Sequence, residues 1–277
     1  MSVKIIGSPP GDLYFENADL LAYTEIHETI GSTNARMREL FEQQSLFDFA
    51  GHESYVLVAS DAQTAGRGRT QRAWQSPPEK NIYFTLGTSL GAGREIATIK
   101  GLSLAIGMLL RQVFLDLGID SVQVKWPNDL VSKRGKIAGI LIETQNLSFQ
   151  HWGVLIGVGI NVNIESQDFQ VEQPWSSLCI ETGHQFVRSS VLTRIIEALV
   201  KGIEQFKQKG WHSFYPQWAG ADLLYGKFIL VLDHQGNQIH AGQCQGVNKE
   251  GQLVLCDEQR QIHLITSGDI KVRLSQN

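Results

Sequence analysis

The chain has 277 residues, with 24 Lys+Arg against 28 Asp+Glu, 42% hydrophobic residues, 27 Gly and 7 Pro. At roughly 150 residues per domain this length suits two unequal units, and it needs no disulfide or metal staple to bury a core. The formal net charge of −4 argues against a protein whose main task is binding nucleic-acid backbone, which calls for a basic surplus. Ordinary hydrophobicity and charge exclude global disorder.

Cys179, Cys244 and Cys256 are an odd set without CxxC spacing, and His184 after Cys179 has no second pair to complete a zinc set. They read as buried thiols of a reducing compartment. Residues 1–11 (MSVKIIGSPPG) hold only a two-residue apolar pair, too little for the core of a signal peptide. The richest apolar stretch, Gly101–Leu110, stops at Arg111, short of the ~20 residues that cross a bilayer. No membrane partner and a cytoplasmic location are expected.

In chain order, residues 1–30 read as irregular or edge structure. Ser32 or Thr33 can cap a helix running to about Gln44, with Ala35, Met37, Leu40 and Phe41 near helical spacing. Tyr55–Ala59 is a β-rich run leading into a loop over Ser60–Lys80, and Asn81–Leu86 is a second strand. Ile96–Leu117 predicts one long buried helix closed by Gly118. Val122–Trp126 reads as a strand, Pro127–Asp129 as a turn, and Ile137–Glu143 and Trp152–Ile160 as strands close enough to form a hairpin. Ser189–Lys209 is a helix with Val191, Ile195, Leu199 and Phe206 on one face and Gly210 at its end. From Leu223 onward, five short β-runs alternate with turn signals, the texture of a small barrel. A boundary near Tyr225 divides the chain into 1–225 and 226–277.

The loop Gln63–Trp74 contains Gly66, Arg67, Gly68, Arg69 and Arg72; between Ala62 and Pro78 there are three arginines and no acid. Glycines let backbone approach a ligand, and guanidinium forks suit phosphate and carboxylate oxygens. No GK[ST] follows, so this is not a nucleotide P-loop. Taken alone it could be a solvated turn. Three further pieces accompany it. Lys125-Trp126-Pro127-Asn128-Asp129 puts an ammonium, an amide and a carboxylate on one turn. Gly135-Lys136-Ile137-Ala138-Gly139-Ile140-Leu141 places a lysine before a strand, and Gly157-Val158-Gly159-Ile160-Asn161-Val162-Asn163 ends another. Each alone could be turn plus core strand. Four in this order, each at a strand end, outweigh coincidence.

At these residues the sequence resembles the biotin–protein ligases, from Ser32-Thr33-Asn34 through the GRGR loop, KWPND, KxAGIL and GVGIN to the end of the chain. It departs at Gln71, where the family often has glycine. The resemblance implies an α+β fold: a mixed, mainly antiparallel sheet with helices, of class II synthetase type, followed by a small C-terminal SH3-like β-barrel. It implies an ATP-dependent ligase. Biotin attacks the α-phosphate of ATP to give biotinyl-adenylate, and a lysine of a biotin carboxyl carrier protein, such as a domain of acetyl-CoA carboxylase, takes up the biotin.

By the same resemblance, Arg69 and Lys136 neutralise the carboxylate and α-phosphate, while Lys125 and Asp129 serve the nucleotide, Asp129 as a candidate Mg²⁺ ligand. Ser32, Thr33, Gln63, Gly66 and Arg67 belong to the biotin site with Lys136, Gly139, Leu141, Gly157 and Gly159. Arg72, Asn128, Asn161 and Trp175 complete the ATP site, Trp175 by stacking. Trp74 and Trp126 read as packing beside the site, and His27, His52, His151 and His263 as surface histidines. Relatives that repress transcription carry an N-terminal helix-turn-helix. The roughly 30 residues before Ser32 show no such pattern, so the resemblance is to the form without that domain and no DNA partner is expected. A homodimer is left open. The competing readings are a lipoate–protein ligase of the same fold and a non-catalytic nucleic-acid-binding module using the GRGR loop.

Overall fold

The computed structural model describes residues 2–6, 12–43, 54–69, 72–90, 96–148, 151–165, 173–268 and 270–274. Thr70, Gln71, His52 and the end of the expected first helix at Gln44 lie outside them, as does the side chain of His151.

The elements follow in chain order: β1 (Ser2–Ile6), β2 (Tyr23–Ile30), α1 (Thr33–Glu42), β3 (Tyr55–Gln63), β4 (Ile82–Ser89), α2 (Leu102–Asp116), β5 (Gln123–Lys125), β6 (Asp129–Val131), β7 (Lys136–Ser148), β8 (His151–Ile160), α3 (Leu178–Thr182) and α4 (Arg188–Lys209). The eight strands form one sheet in the order β1-β2-β3-β4-β8-β7-β6-β5. β1–β2 and β2–β3 pair in parallel and the remaining neighbours antiparallel, so the sheet is mixed and mainly antiparallel, as expected. Then β9 (Phe228–Leu232), β10 (Gln238–Val247), β11 (Leu253–Cys256), β12 (Ile262–Ile265) and β13 (Lys271–Leu274) form a second sheet, all antiparallel, in the order β12-β11-β10-β9-β13.

The two-residue period of a strand separates the faces of the large sheet. Leu57, Ala59, Ile82, Phe84, Leu86, Ile156, Val158, Ile160, Ala138 and Ile140 point to one side. There they share a core with Ala105, Ile106 and Leu110 of α2, and with Leu192, Ile196 and Leu199 of α4. Val56, Val58 and Leu155 point to the other, where Met37, Leu40 and Phe41 of α1 cover them. α1 covers only part of that face. Gly139 and Gly159 lie beyond α1 on that face, paired across β7 and β8, while Gly157 lies under Asn34 at the start of α1.

Several expectations change. Tyr23–Ile30 is no edge but a strand between β1 and β3, because its alternation is masked by buried charge: Glu25 is fully buried yet satisfied. Arg36 of α1 donates to both its oxygens at 2.8 and 2.9 Å, and Tyr23 and His27 lie at 2.8 and 3.0 Å. His27 is therefore buried rather than a surface histidine, and His263 is held by Asp257 at 2.7 Å. Cys256 is half-exposed, unlike Cys179 and Cys244.

The long helix expected at Ile96–Leu117 is broken: a 3-10 turn at Ile96–Ile99 precedes α2, with Gly101 between them at φ 80. A side chain there would be strained and would meet Trp211 at 2.7 Å. By length and composition alone Ala97–Asp116 could cross a bilayer, but here it forms the core layer under the sheet. The turn expected at Pro127–Asp129 is shorter, since Asp129 already begins β6.

Two polar ties join the layers. Arg188, 1% exposed, reaches Asp61 and the Asn81 carbonyl, and donates through Nε to Asp12 at 2.7 Å. The second sheet is fastened by indole donors: Trp126 to the Gly251 carbonyl and Trp211 to the Asn248 carbonyl, both at 3.2 Å.

Burial pushes the Glu25 carboxyl up, but hydrogen bonds from Arg36, His27 and Tyr23 outweigh it and hold the group well below the usual carboxylate range. A depressed folded-state value stabilises the protein above the unfolded value, about pH 4.3, and the contribution is lost as acid is added below it. Glu25→Gln is expected to lower the urea midpoint at pH 7 and to flatten its decline below about pH 4; urea melts of both proteins across that range check it.

Candidate functional site

Helix α1 begins at Ser32, whose backbone is extended (φ −158, ψ 135) but whose hydroxyl makes no capping bond. The cap comes from another strand instead. Gln63, ending β3, accepts the Thr33 N–H at 2.9 Å, so the helix start and the glycine–arginine loop are joined at their roots.

The loop then folds onto itself. Gly68 N–H donates to the Arg72 carbonyl at 2.7 Å and Trp74 N–H to the Gly66 carbonyl at 2.9 Å, with Arg67 bridging Ala73. This hairpin lays the Trp74 ring on the glycine face of the sheet. A Cβ at Gly159 would stand 2.6 Å from that ring and one at Gly139 3.0 Å, so glycine is required there by close approach.

Lys136, at the start of β7, places its ammonium 2.7 Å from Asp129 Oδ1 and 5.0 Å from the Trp74 ring centroid. Asn128 fastens the KWPND turn to β7: its Nδ2 donates to the Ile140 carbonyl at 2.8 Å, and the Ile140 N–H returns to the Asn128 carbonyl at 3.0 Å. Burial pushes the Lys125 ammonium below its usual range; Asp129 opposes the shift, and Lys136 and Arg273 reinforce it. Asn161 Nδ2 donates to the Ser176 carbonyl at 3.0 Å, and the Lys136 N–H donates to the Pro174 carbonyl at 3.0 Å, holding Trp175 beside Lys136.

These segments enclose one cavity of about 730 Å³, within the range of small-molecule sites. Of the expected residues, Ser32, Thr33, Gln63, Arg67, Arg69, Arg72, Lys125, Asn128, Asp129, Lys136, Gly139, Leu141, Gly157, Gly159, Asn161 and Trp175 line it. Gly66 does not; it underlies the wall, where a side chain would meet the Trp74 carbonyl at 2.8 Å. Arg69 lines the cavity, yet its Nη2 donates to the carbonyls of Ser267 and Gly268 at 2.5 and 2.6 Å, between β12 and β13. Asn128 and Asn161 line the cavity with their side-chain donors already given to backbone.

Other residues were not anticipated. Asn34 and Trp74 line the cavity, and so do Ile270, Lys271, Val272 and Arg273 of the second sheet. Asn34 and Trp74 adjoin motif residues and were within reach of the sequence. Nothing local marks Lys271 or Arg273, which arrive only because the second sheet docks beside Trp126. Among the described residues, seven cations (Arg67, Arg69, Arg72, Lys125, Lys136, Lys271 and Arg273) face the cavity against one carboxylate, Asp129. Such a wall binds an anion; the indole and glycine floor beside it suits an apolar body.

The model of the biotin/lipoate A/B protein ligase family matches residues 30–161. Over 265 residues the chain is 30% identical to the bifunctional ligase/repressor BirA of Salmonella typhimurium, covering 94% of this chain and 81% of that one. The chain belongs to this family. Its counterpart BirA of Escherichia coli K12 is 33% identical over 214 residues, 76% of this chain and 65% of that protein. Among solved structures, the biotin protein ligase of Aquifex aeolicus in complex with biotin and ATP superposes with a TM-score of 0.72 at 25% identity, covering 91% of this chain and 99% of that one. The family match begins at Ile30 and ends at Asn161, so it spans all four motifs. The cations of β13 lie outside that stretch.

Gly159→Ala is expected to drive the Trp74 ring off its floor and raise the Kd for the apolar ligand by at least tenfold, the scale of a single steric misfit in a well-packed site (about 1.4 kcal/mol). Titration calorimetry on both proteins measures it.

Proposed function

We propose that this protein is a biotin–protein ligase, which activates biotin with ATP to biotinyl-5′-AMP and transfers it to a lysine of a biotin carboxyl carrier protein. The observation that carries the reading is the cavity itself, where a floor of glycine and indole and a wall of seven cations meet in one place. Biotin is an apolar bicycle with a polar ureido edge and a carboxylate tail, and its partner is a triphosphate.

In the first step a biotin carboxylate oxygen bonds to the α-phosphorus while the bond to pyrophosphate breaks. Two anions must meet, so fixed cations are needed where charge accumulates. Lys136, Lys125 and Arg69 are the groups we assign to this task. A bound phosphate would oppose the downward push of burial on the Lys125 ammonium. Lys136 must exchange Asp129 for the ligand, or hold both. In the second step the carrier amine attacks the anhydride carbonyl and AMP leaves. Thr33, Ser32 and Gln63 are assigned to the ureido edge, Leu141 with Gly139, Gly157 and Gly159 to the tail, and Trp175, Asn161, Asn128 and Arg72 to the adenylate. Trp74 joins this set as a wall of the apolar pocket. We divide the chain into a catalytic unit over 1–225 and a closing unit over 226–277, and place the protein in the cytoplasm.

A magnesium site built by the protein does not fit these residues. Among the described residues Asp129 is the one carboxylate on the cavity wall, Lys136 already pairs with it, and no three His, Cys, Asp or Glu side chains gather. Magnesium is expected as the companion of ATP's own oxygens. A lipoate ligase would have no use for the hydroxyl and amide cluster at Thr33 and Gln63, since a dithiolane offers no donor. A nucleic-acid module has none for a guanidinium wall turned into a small cavity.

Incubation with biotin, MgATP and a carrier domain is expected to add one biotinyl group to the carrier by mass spectrometry; no gain in mass sinks the reading. Lys136→Ala should abolish biotin-dependent ATP–pyrophosphate exchange, and undiminished exchange would remove Lys136 from the first step. Arg69→Gly should still form the adenylate but release it, because the loop loses its hold both on the anion and on the Ser267–Gly268 carbonyls. A filter-binding assay in which the variant retains its intermediate as well as the parent refutes that role.

A further inference from the structure

We infer that Glu181, on α3 behind the cavity wall, is a positioning residue that presents Trp175 to the adenine of ATP. The inference deepens the proposed function and rests on its assigning Trp175 to the adenylate.

Trp175 reaches the cavity on a short strap, residues 174–176, laid along the start of β7. The Lys136 N–H donates to the Pro174 carbonyl at 3.0 Å and the Ser176 N–H to the Lys136 carbonyl at 2.9 Å, and Asn161 Nδ2 donates to the Ser176 carbonyl at 3.0 Å. All three grip the strap's backbone on its β7 side. The roll of the strap, which decides where the Trp175 ring faces, depends on what holds its other side. Neighbouring side chains of an extended segment leave on opposite faces. Trp175 lines the cavity, and Ser176, fully buried, does not.

The Ser176 hydroxyl donates to Glu181 Oε1. The same oxygen accepts from Ser132 Oγ at 2.7 Å. Ser132 belongs to the turn between β6 and β7, where its oxygen accepts the Arg134 N–H at 3.1 Å and its own N–H donates to the Gly135 carbonyl at 2.9 Å. One carboxylate oxygen thus ties the strap that carries Trp175 to the turn that ends at Lys136. The proton directions agree. Each serine has one proton and the carboxylate has none, so both hydroxyls donate to it and the Ser132 oxygen is left to accept from the turn. The Gly135 carbonyl, 3.4 Å from Ser132 Oγ, is the farther acceptor.

Glu181 is itself held, its N–H donating to the Ser177 carbonyl at 3.1 Å and its Oε2 accepting from Ser121 Oγ at 3.4 Å. The Glu181 side chain is 8% exposed, and Ser176 and Ser132 are buried, so water is a poor substitute for the carboxylate. Arg134 Nε stands 3.9 Å away on an exposed side chain and adds little. Glu181 does not line the cavity. It acts on the nucleotide through Ser176 and Trp175.

The test follows biotin-dependent ATP–pyrophosphate exchange and biotin binding on the full chain. Glu181→Ala is expected to raise the KM for MgATP roughly tenfold (about 1.4 kcal/mol). The Kd for biotin alone should change less than about twofold, since Thr33, Gln63 and the glycine floor lie on other segments. Glu181→Gln keeps an oxygen for both serines and should bring the KM back to within about threefold of the parent. Ser176→Ala cuts the same tie, should raise the KM as Glu181→Ala does, and carries the test if Glu181→Ala does not fold. In a Trp175→Ala background Glu181→Ala should add less than about twofold, because both changes then act on one lost contact. An unchanged KM in Ser176→Ala or in folded Glu181→Ala, no recovery in Glu181→Gln, or a fully additive double variant overturns the inference and leaves the proposed function standing. Absence of exchange in the parent protein overturns the proposed function and the inference with it.

Discussion

Among the described residues seven positive side chains face one cavity, and holding them together against their mutual repulsion is the constraint around which the molecule is arranged. They come from separately anchored segments. Lys125 on β5 and Lys136 on β7 flank β6, and the turn after Lys125 is fastened by Asn128 to the Ile140 backbone. Arg67 and Arg72 belong to a loop closed by its own backbone bonds, and Arg273 to a sheet tied on by indoles. Asp129 offsets Lys136, and two carbonyls of the second sheet engage Arg69. The residual repulsion is felt at Lys125, whose ammonium is displaced downward by burial and by its cationic neighbours. An anionic ligand offsets that repulsion, which is how such a wall favours anions.

The same arrangement explains the glycines and the tryptophan. A sheet face that carried side chains at 139, 157 and 159 would be filled and would leave no floor. With glycine there, Trp74 lies on the backbone and is braced by Lys136, and the loop that carries the arginines is held against the sheet by its own aromatic residue. Electrostatics collects the anions, and the glycine face chooses among them.

Much of this was legible because it is written in consecutive residues. GRGR, KWPND, KIAGIL and GVGIN each keep their functional groups within one turn or one strand end, where local geometry alone decides their spacing. The hairpin of β7 and β8, the helix α4 and the five short C-terminal strands were readable for the same reason, since period and turn residues report local structure. The misreadings share a cause as well. β2 was hidden because Glu25 and His27 break an apolar alternation, and their burial depends on Arg36, which reaches them from a helix. The break at Gly101 is enforced by Trp211, far along the chain, and a helical pattern carries no sign of it.

The sequence by itself determined which chemical groups exist and that they lie at strand ends, because those depend on neighbours along the chain. Only the tertiary structure decided which of them meet. Lys271 and Arg273 enter the cavity through the docking of a second sheet, and Arg69 is drawn to carbonyls 198 and 199 residues on. Such pairings are set by the packing of layers, which no local pattern of a single sequence encodes. The net charge of −4 is the plainest case: the total is a property of composition, whereas a cavity lined by seven cations is made by folding.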